Sequence, residues 1–345
     1  FKIIFLYVPL SFIFFPIILF SNQMLRDEAV TAWIKFFIWK NFTSIFNIDS
    51  YLSYHNYASD HIYRNILLKQ INCFTIMYKH THSENVFDYK KKKNYAYAIY
   101  MNLYYDLECH WSNCSVEMSK ANQSKSTEYL LSGPIWSSEE FLNKNKNNII
   151  NINKNNTTLG FFTSSYPGFS AVNSIDSHQK FLLFVLEIIK RYPNFNILFK
   201  SKNDFKLYVS NEKTKEIAKK LFNSKNVIIA DYKILSTLIS QESDIVISMA
   251  FVSTGVEAMC LGIKSFYVDL MNTYENSYFD NFDKLVSHSD IGALDNVEHW
   301  LKIKQKDVLT KYVDIFKDMG ITKTNIASEL IRNKIVKTLT DKNIN

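Results

Sequence analysis

Residues 243–269 read Ser-Asp-Ile-Val-Ile-Ser-Met-Ala-Phe-Val-Ser-Thr-Gly-Val-Glu-Ala-Met-Cys-Leu-Gly-Ile-Lys-Ser-Phe-Tyr-Val-Asp, a strand, a turn, a helix and a second strand. Asp244 to Ser248 is a short β-branched apolar run, and a strand greasy on both faces belongs in a parallel sheet that is covered on both sides. Ser253, Thr254 and Gly255 follow at once. Ser253 or Thr254 is placed to cap a helix ending near Gly262, so that free N–H groups and the positive dipole end face the carboxyl edge of the sheet. That geometry favours a bound anion, and Glu257, one turn in, is placed to accept hydrogen bonds from ribose hydroxyls. A plain strand–helix unit has the same spacing, so the neighbouring segments decide between the two readings.

Outward from this stretch the alternation continues. Thr158 to Thr163 reads as a strand, 176–192 as an amphipathic helix capped by Ser174 or Asp176, and 195–199 as the next strand. A charged helix at 211–222, a strand at 227–230 and a helix at 234–241 lead back to the opening stretch, and helices near 297–318 and 323–340 close the chain. Strand and helix alternating at this pitch predict a doubly wound parallel sheet with right-handed crossovers and its ligands at the carboxyl edge. The Asn- and Lys-rich tract at 143–156 is polar, low in complexity and without a period that buries a face, which marks a linker. The expected division is an acceptor-side α/β domain over 1–142, a linker at 143–157 and a nucleotide-donor-binding, Rossmann-like domain over 158–345. In the front half, strands are expected at 51–54, 73–78, 95–100 and 128–136, the last breaking at Gly133-Pro134, with a helix at 62–69.

With 345 residues and 47% hydrophobic side chains, the chain has material for two folded domains, which excludes disorder as a whole. A net charge of +7 suits an anionic partner: a nucleotide diphosphate, a phospholipid surface or nucleic acid. The basic residues are dispersed and no nucleic-acid reading motif accompanies them, so nucleic acid is not an expected partner. Cys73, Cys109, Cys114 and Cys260 form neither a C-x-x-C pair nor a dense framework. A reduced, cytoplasmic compartment and no structural zinc follow.

The chain opens on Phe1 rather than Met, and further residues are expected before it. Residues 3–20 are almost wholly apolar but interrupted by Pro9 and Pro16, which leaves two readings: a membrane segment, or a buried strand and loop of the first domain. Ala29 to Phe46, with Trp33, Phe36, Phe37 and Trp39 among Lys35 and Lys40, fits either a lipid interface or a helix packed on a sheet. Lys90 to Lys93 is a solvated run or one that faces anionic lipid.

Four features fall at the carboxyl ends of the back-half strands. Ser164-Ser-Tyr-Pro-Gly168 follows the first, Lys200-Ser-Lys202 the second, and Asp231-Tyr232 the third; Ser253, Thr254, Gly255 and Glu257 follow the fourth. Lys200 and Lys202 are expected to meet phosphates, and Asp231 a ribose or base. Each feature alone is ordinary; together, on one edge, they describe a nucleotide diphosphate cleft.

The block from Asp244 to Ala258 with Gly262-Ile-Lys-Ser-Phe-Tyr267, Gly160-Phe-Phe-Thr-Ser164 and Leu198-Phe-Lys-Ser-Lys202 resembles bacterial surface-polysaccharide biosynthesis proteins of the PFTS-motif family. That family is similar to GT-B glycosyltransferases and, more distantly, to CDP-glycerol glycerophosphotransferases. Its Pro-Phe-Thr-Ser stands here as Ala250-Phe-Val-Ser253. The resemblance implies two Rossmann-like domains facing across a cleft. Ser253, Thr254 and Glu257 would then bind the donor's diphosphate and ribose, and Lys200 and Lys202 its phosphates.

In such transferases the acceptor and any general base come from the front domain. His80, in Lys79-His-Thr-His-Ser83, is the first candidate base, because an imidazole at a strand end can take a proton from an acceptor hydroxyl. Asp60 and His61 form a second candidate pair of base and orienter, and Arg64 beside them can hold an anion. No Asp-x-Asp is present to hold a divalent ion, so a metal-independent transfer without a cofactor is expected. The predicted activity moves a sugar from a nucleotide-activated donor to a cell-surface polysaccharide or its lipid-linked precursor, at the inner face of the plasma membrane with peripheral membrane contact. A CDP-polyol phosphotransferase and a noncatalytic nucleotide-sugar-binding module are the alternatives.

Overall fold

Phe161 and Phe162 are adjacent and both fully buried, yet they belong to different hydrophobic clusters, and that alternation organises the chain. In a strand successive side chains point to opposite faces, so Leu159, Phe161, Ile197, Phe199, Ile245 and Ile247 enter the larger core while Phe162, Leu198 and Val246 enter the smaller. Both faces of the sheet are covered, which is why its strands are apolar throughout. Each such side chain contributes about 1.5–3 kcal/mol through burial.

The structure is a computed structural model that describes residues 23–54, 60–79, 103–121, 124–144, 150, 152–166, 173–274, 277–320 and 326–344. The apolar run at 3–20, the lysines at 90–93 and the strand expected at 95–100 lie outside these residues.

The front half begins with α1 (Gln23–Ile45), then β1 (Ser50–Ser53), α2 (Asp60–Gln70), β2 (Phe74–Tyr78), β3 (Leu107–His110), α3 (Asn113–Ala121), β4 (Glu128–Leu131) and α4 (Glu139–Lys144). Among the described residues its four strands are all parallel, in the order β1-β2-β3-β4. β3 was not anticipated, because Leu-Glu-Cys-His carries two ionisable side chains where a buried strand ordinarily has none. The strand expected at 128–136 ends at Leu131; Gly133, at φ +74, turns the chain into a short 3-10 helix at Ile135–Ser137.

The back half runs β5 (Thr158–Phe162), α5 (Ile175–Arg191), β6 (Asn196–Lys200), α6 (Lys206–Ser210), α7 (Lys215–Phe222), β7 (Val227–Ile229), α8 (Ser236–Ser240), β8 (Ile245–Met249), α9 (Thr254–Cys260), β9 (Lys264–Val268) and β10 (Val286–Ser287). The sheet order is β10-β9-β8-β5-β6-β7, all parallel. The chain winds one way from β5 and the other way from β8, so the topological switch point lies between these two strands. Ser174 caps α5 by accepting a bond from Ser177 N at 3.2 Å, as one of the two expected caps. The helix expected at 211–222 begins only at Lys215, because Thr214 bonds back to Tyr208 O at 2.7 Å in a turn, and the short α6 before that turn was not anticipated. The helix expected near 297–318 is α10 (Asp290–Lys302), α11 (Val308–Lys311) and α12 (Val313–Met319), the first capped by Ser289 through Gly292 N.

The final helix, α13 (Ala327–Ile344), reaches back to the front half, where Arg332 pairs with Glu140 at 3.4 Å and Lys334 pairs with Glu128. The larger core is likewise continuous from Ile76, Leu107 and Trp111 of the front half into the back sheet. Part of the linker is also packed: Ile152 is buried in the smaller core and Asn153 O accepts a bond from Asn196 at 2.8 Å. Among the described residues no helix is long and apolar enough to cross a membrane.

Candidate functional site

Because every strand of the back sheet is parallel, the segments after β5, β6, β7 and β8 all emerge on one edge. Ser164 and Ser165 follow β5, Lys200 and Lys202 end and follow β6, Asp231 follows β7, and Ser253 to Glu257 follow β8. At the switch point the β5 and β8 ends meet, with Ser164 Oγ 3.9 Å from the Met249 sulfur.

The loop after β5 stands on a buried polar network that the sequence reading did not identify. His178, in the first turn of α5, holds Ser164 Oγ at 3.3 Å and Ser165 O at 3.2 Å through Nε2, and the Tyr208 hydroxyl at 2.8 Å through Nδ1. The Tyr208 hydroxyl also lies 3.1 Å from Thr163 Oγ1, and Tyr166 stacks on its ring at 4.2 Å between centroids. Burial pulls the His178 pKa down to about 4, so at neutral pH the imidazole is uncharged. The hint in the sequence was its place, a histidine four residues after a helix cap on the ligand edge.

Lys200 is buried, and its ammonium donates to Ser201 O at 3.0 Å and to Tyr232 O at 2.8 Å. Burial lowers its pKa to about 8, against the opposing pull of Asp231. Two of its three N–H groups thus tie the ends of β6 and β7 together. Lys202 is exposed on the same edge, and Asp231 is exposed with Oδ1 accepting Lys233 N at 2.9 Å.

At the start of α9 the cap also differs from expectation. Ser253 occupies the cap position but has helical backbone angles and makes no side-chain capping bond. The Tyr267 hydroxyl takes that part instead, accepting Val256 N at 3.1 Å while donating to Val252 O at 3.1 Å. Gly255 makes room for it, since a Cβ there would lie 2.3 Å from the Tyr267 ring. Thr254 is buried beside it.

Glu257 lies where the two halves meet. Its backbone carbonyl accepts the Ser137 hydroxyl at 3.0 Å. Ser137 ends the turn that Tyr78 holds, at the carboxyl end of β2, by accepting Ile135 N at 2.8 Å and donating to Gly133 O at 3.2 Å. Burial pushes the Glu257 carboxyl up to about 8. It makes no hydrogen bond among the described residues, and at neutral pH it is largely a neutral acid. The signal for Tyr78 and Ser137 was present as the Gly133-Pro134 break after a strand, but their partners are more than fifty residues away in each case.

The front-half candidates separate. His80 lies outside the described residues, as does the side chain of Asp60 at the start of α2. His61 is buried and stacked on Tyr105, with ring centroids 5.7 Å apart. Arg64, likewise buried, donates to the Tyr105 hydroxyl at 2.8 Å and lies over the Tyr51 ring at 4.8 Å. The structure thus places His61 and Arg64 in packed aromatic surroundings at the start of α2, after the carboxyl end of β1. Among the described residues no group of three or more His, Cys, Asp or Glu side chains is arranged to hold a metal ion.

A family model described as polysaccharide biosynthesis PFTS motif protein matches residues 8–301. No curated protein matches the chain. Among solved structures, S. aureus MnaA with UDP is similar at a TM-score of 0.57 and 10% identity, over 91% of this chain and 82% of that one. The wall teichoic acid polymerase TagF (H444N variant) is similar at 0.57 and 11%, over 86% and 74%. UDP-GlcNAc 2-epimerase from Neisseria meningitidis bound to UDP-GlcNAc follows at 0.54 and 12%, over 89% and 81%. At such identities the likeness establishes the fold: two Rossmann-like units of the GT-B kind, as the sequence predicted.

Proposed function

The chain belongs to the polysaccharide biosynthesis PFTS motif family, and on that premise we propose that it is a glycosyltransferase taking a nucleotide-activated sugar to a cell-surface polysaccharide or its lipid-linked precursor. The observation that carries the reading is Glu257, a buried acid without a hydrogen-bond partner among the described residues, at the carboxyl edge of the nucleotide-type sheet and against the front half. The solved structures with UDP and UDP-GlcNAc support a nucleotide-sugar donor.

The division of labour follows from the chemistry of each group. Backbone N–H groups and hydroxyls of the Thr163–Ser165 loop face the donor's diphosphate, positioned by the neutral His178. Lys202 adds a cationic charge that stabilises the leaving diphosphate. Glu257 in its protonated form donates to a hydroxyl of the donor and places no negative charge beside the phosphates. A base near the β2 end, His80 by preference, receives the acceptor hydroxyl's proton.

The test is nucleotide binding as a function of pH, by ligand-detected NMR against UDP, GDP, CDP, CMP and dTDP. One nucleotide is expected to bind selectively, with affinity falling as pH rises through about 8, where Glu257 ionises. Glu257→Gln, permanently neutral, retains binding and flattens the profile, whereas Glu257→Ala loses about tenfold or more. An unchanged profile in Glu257→Gln overturns the role of this residue; binding of none of the nucleotides overturns the donor reading. Selective binding of CDP favours the second reading, a polyol phosphotransferase, toward which the likeness to a wall teichoic acid polymerase also points.

A further inference from the structure

α1 packs on the front half by one face only. Phe36 meets Tyr63 at 6.4 Å, Trp39 meets Tyr51 at 5.4 Å, and Arg64 lies over the Trp39 ring at 5.7 Å. At 100° per residue these two aromatics and the buried Thr43 share one side of the helix. The opposite side carries Val30, Trp33, Ile34, Ile38, Phe42 and Ile45, all exposed, Ile38 by 59% and Ile45 by 73%, with the exposed Thr31, Asn41 and Ser44 among them. Exposed apolar residues scattered singly are ordinary; six on one continuous helix face mark a docking surface.

The boundary of this face identifies its occupant. Lys40 falls at one margin of the apolar arc and Lys35 at the other, and from residue 29 to residue 48 these are the only charged side chains. A stripe of aliphatic and aromatic side chains edged by lysines is the pattern of a helix lying in the plane of a bilayer surface, with its apolar side among the acyl chains and its cations level with anionic headgroups. A second copy of the chain fits less well, since a twofold contact through this face would bring the lysines of both copies together with no acid in the stretch to pair them. The apolar run at 3–20 ends shortly before α1 begins at Gln23, so the sequence places two lipid-compatible segments side by side. We infer that the outer face of α1 is a docking surface for an anionic lipid bilayer, bound in plane.

This goes beyond the transferase reading and does not depend on it, because its test uses no turnover. The full chain is mixed with vesicles of phosphatidylcholine alone or with phosphatidylglycerol, and binding is followed by flotation and by quenching with brominated acyl chains. Trp33 is the exposed one of the chain's five tryptophans among the described residues, so quenching reports this face. Binding is expected with anionic vesicles and is weakened by salt. The double variant Ile34→Glu/Ile38→Glu is expected to bind on the order of 100-fold more weakly. Lys35→Gln/Lys40→Gln, which leaves the apolar face intact, costs about 25-fold on anionic vesicles. Trp33→Phe still floats but loses most of the quenching, and Ile291→Glu, at an exposed apolar site elsewhere, changes nothing. Vesicle binding that survives Ile34→Glu/Ile38→Glu overturns the inference. So does a soluble dimer that the same double variant dissociates, which would assign the face to a second copy.

Discussion

β8 in the back sheet runs Ile245-Val-Ile-Ser-Met249, while β3 in the front sheet runs Leu107-Glu-Cys-His110; both are buried along their whole length. The first is held by apolar area on two faces. The second buries two ionisable groups, and they survive because residues two apart in a strand share a face and meet each other. His110 Nε2 lies 2.9 Å from Glu108 Oε2, His110 Nδ1 lies 2.7 Å from Ser115 Oγ, and Ser119 and Ser124 complete the carboxylate's partners. Burial pushes the Glu108 pKa up, but the His110 contact and the two hydroxyls outweigh it, so the group stays an anion. Burial dominates for His110 and lowers its pKa. The lesson is that one strand depends on area and the other on completeness of pairing, so they should fail under different insults.

The largest expected effect is at β3. Glu108→Ala leaves His110 and two hydroxyls, Ser119 and Ser124, without their acceptor and should cost about 3–5 kcal/mol. Hydrogen exchange read strand by strand decides whether the loss is confined to the front sheet. Equal loss of protection in β5 and β8 would mean that the shared core makes both sheets one cooperative unit, and the contrast between them would dissolve.

Gly255→Val is the matching insult to the back sheet. Its side chain would enter the Tyr267 ring and displace the hydroxyl that caps α9. A loss of about 1–3 kcal/mol is expected, typical of overpacking, with β8 and β9 losing protection ahead of β3.

Proton dependence sharpens the contrast further. Glu108, His110 and His178 have lowered folded pKa values, so the stability they confer is present above their unfolded values and is lost as pH falls through the folded ones. His288 has the opposite sign: the carboxylates of Asp269, 3.5 Å from Nδ1, and of Asp280, which accepts from Nε2 at 2.7 Å, raise it to about 9. Its contribution is complete below about 6.5 and is lost as pH rises through 9. Thermal melts should therefore show acid sensitivity in both halves and an alkaline loss that His288→Gln reduces, leaving the part due to Glu257, whose pKa raised to about 8 acts in the same direction. An alkaline loss unchanged in that variant would remove the assignment.

The smallest effect tests the joint between the halves. Ser137→Ala removes the hydroxyl that reaches Glu257 O and should cost about 1 kcal/mol. A greater effect on nucleotide affinity than on melting would show that the joint orients the cleft rather than merely stabilising it.

Much of the back half was legible because its strands are apolar on both faces and its helices have caps and turns between them; the second strand of the 243–269 stretch is β9, Lys264–Val268. The front half was less so. β3 looked too polar to be a strand, and the pairing that excuses it involves serines up to 16 residues away. The ligand edge was readable as a place and only partly as a set of roles. Lys200, expected at phosphates, also ties two strand ends, and the capping expected of Ser253 or Thr254 belongs to Tyr267, eleven residues beyond Val256.

The sequence by itself determined the alternating strand–helix order of the back half, the parallel sheet and the edge on which its loops emerge, since these depend on periodicity and on turns between near neighbours. Only the tertiary structure decided which side chain meets which. It set Glu257 against the front half, His178 under the Ser164 loop, and one face of α1 against α2 while leaving the other uncovered. Such contacts join residues far apart in the chain, and local pattern carries no information about them until the sheets are assembled.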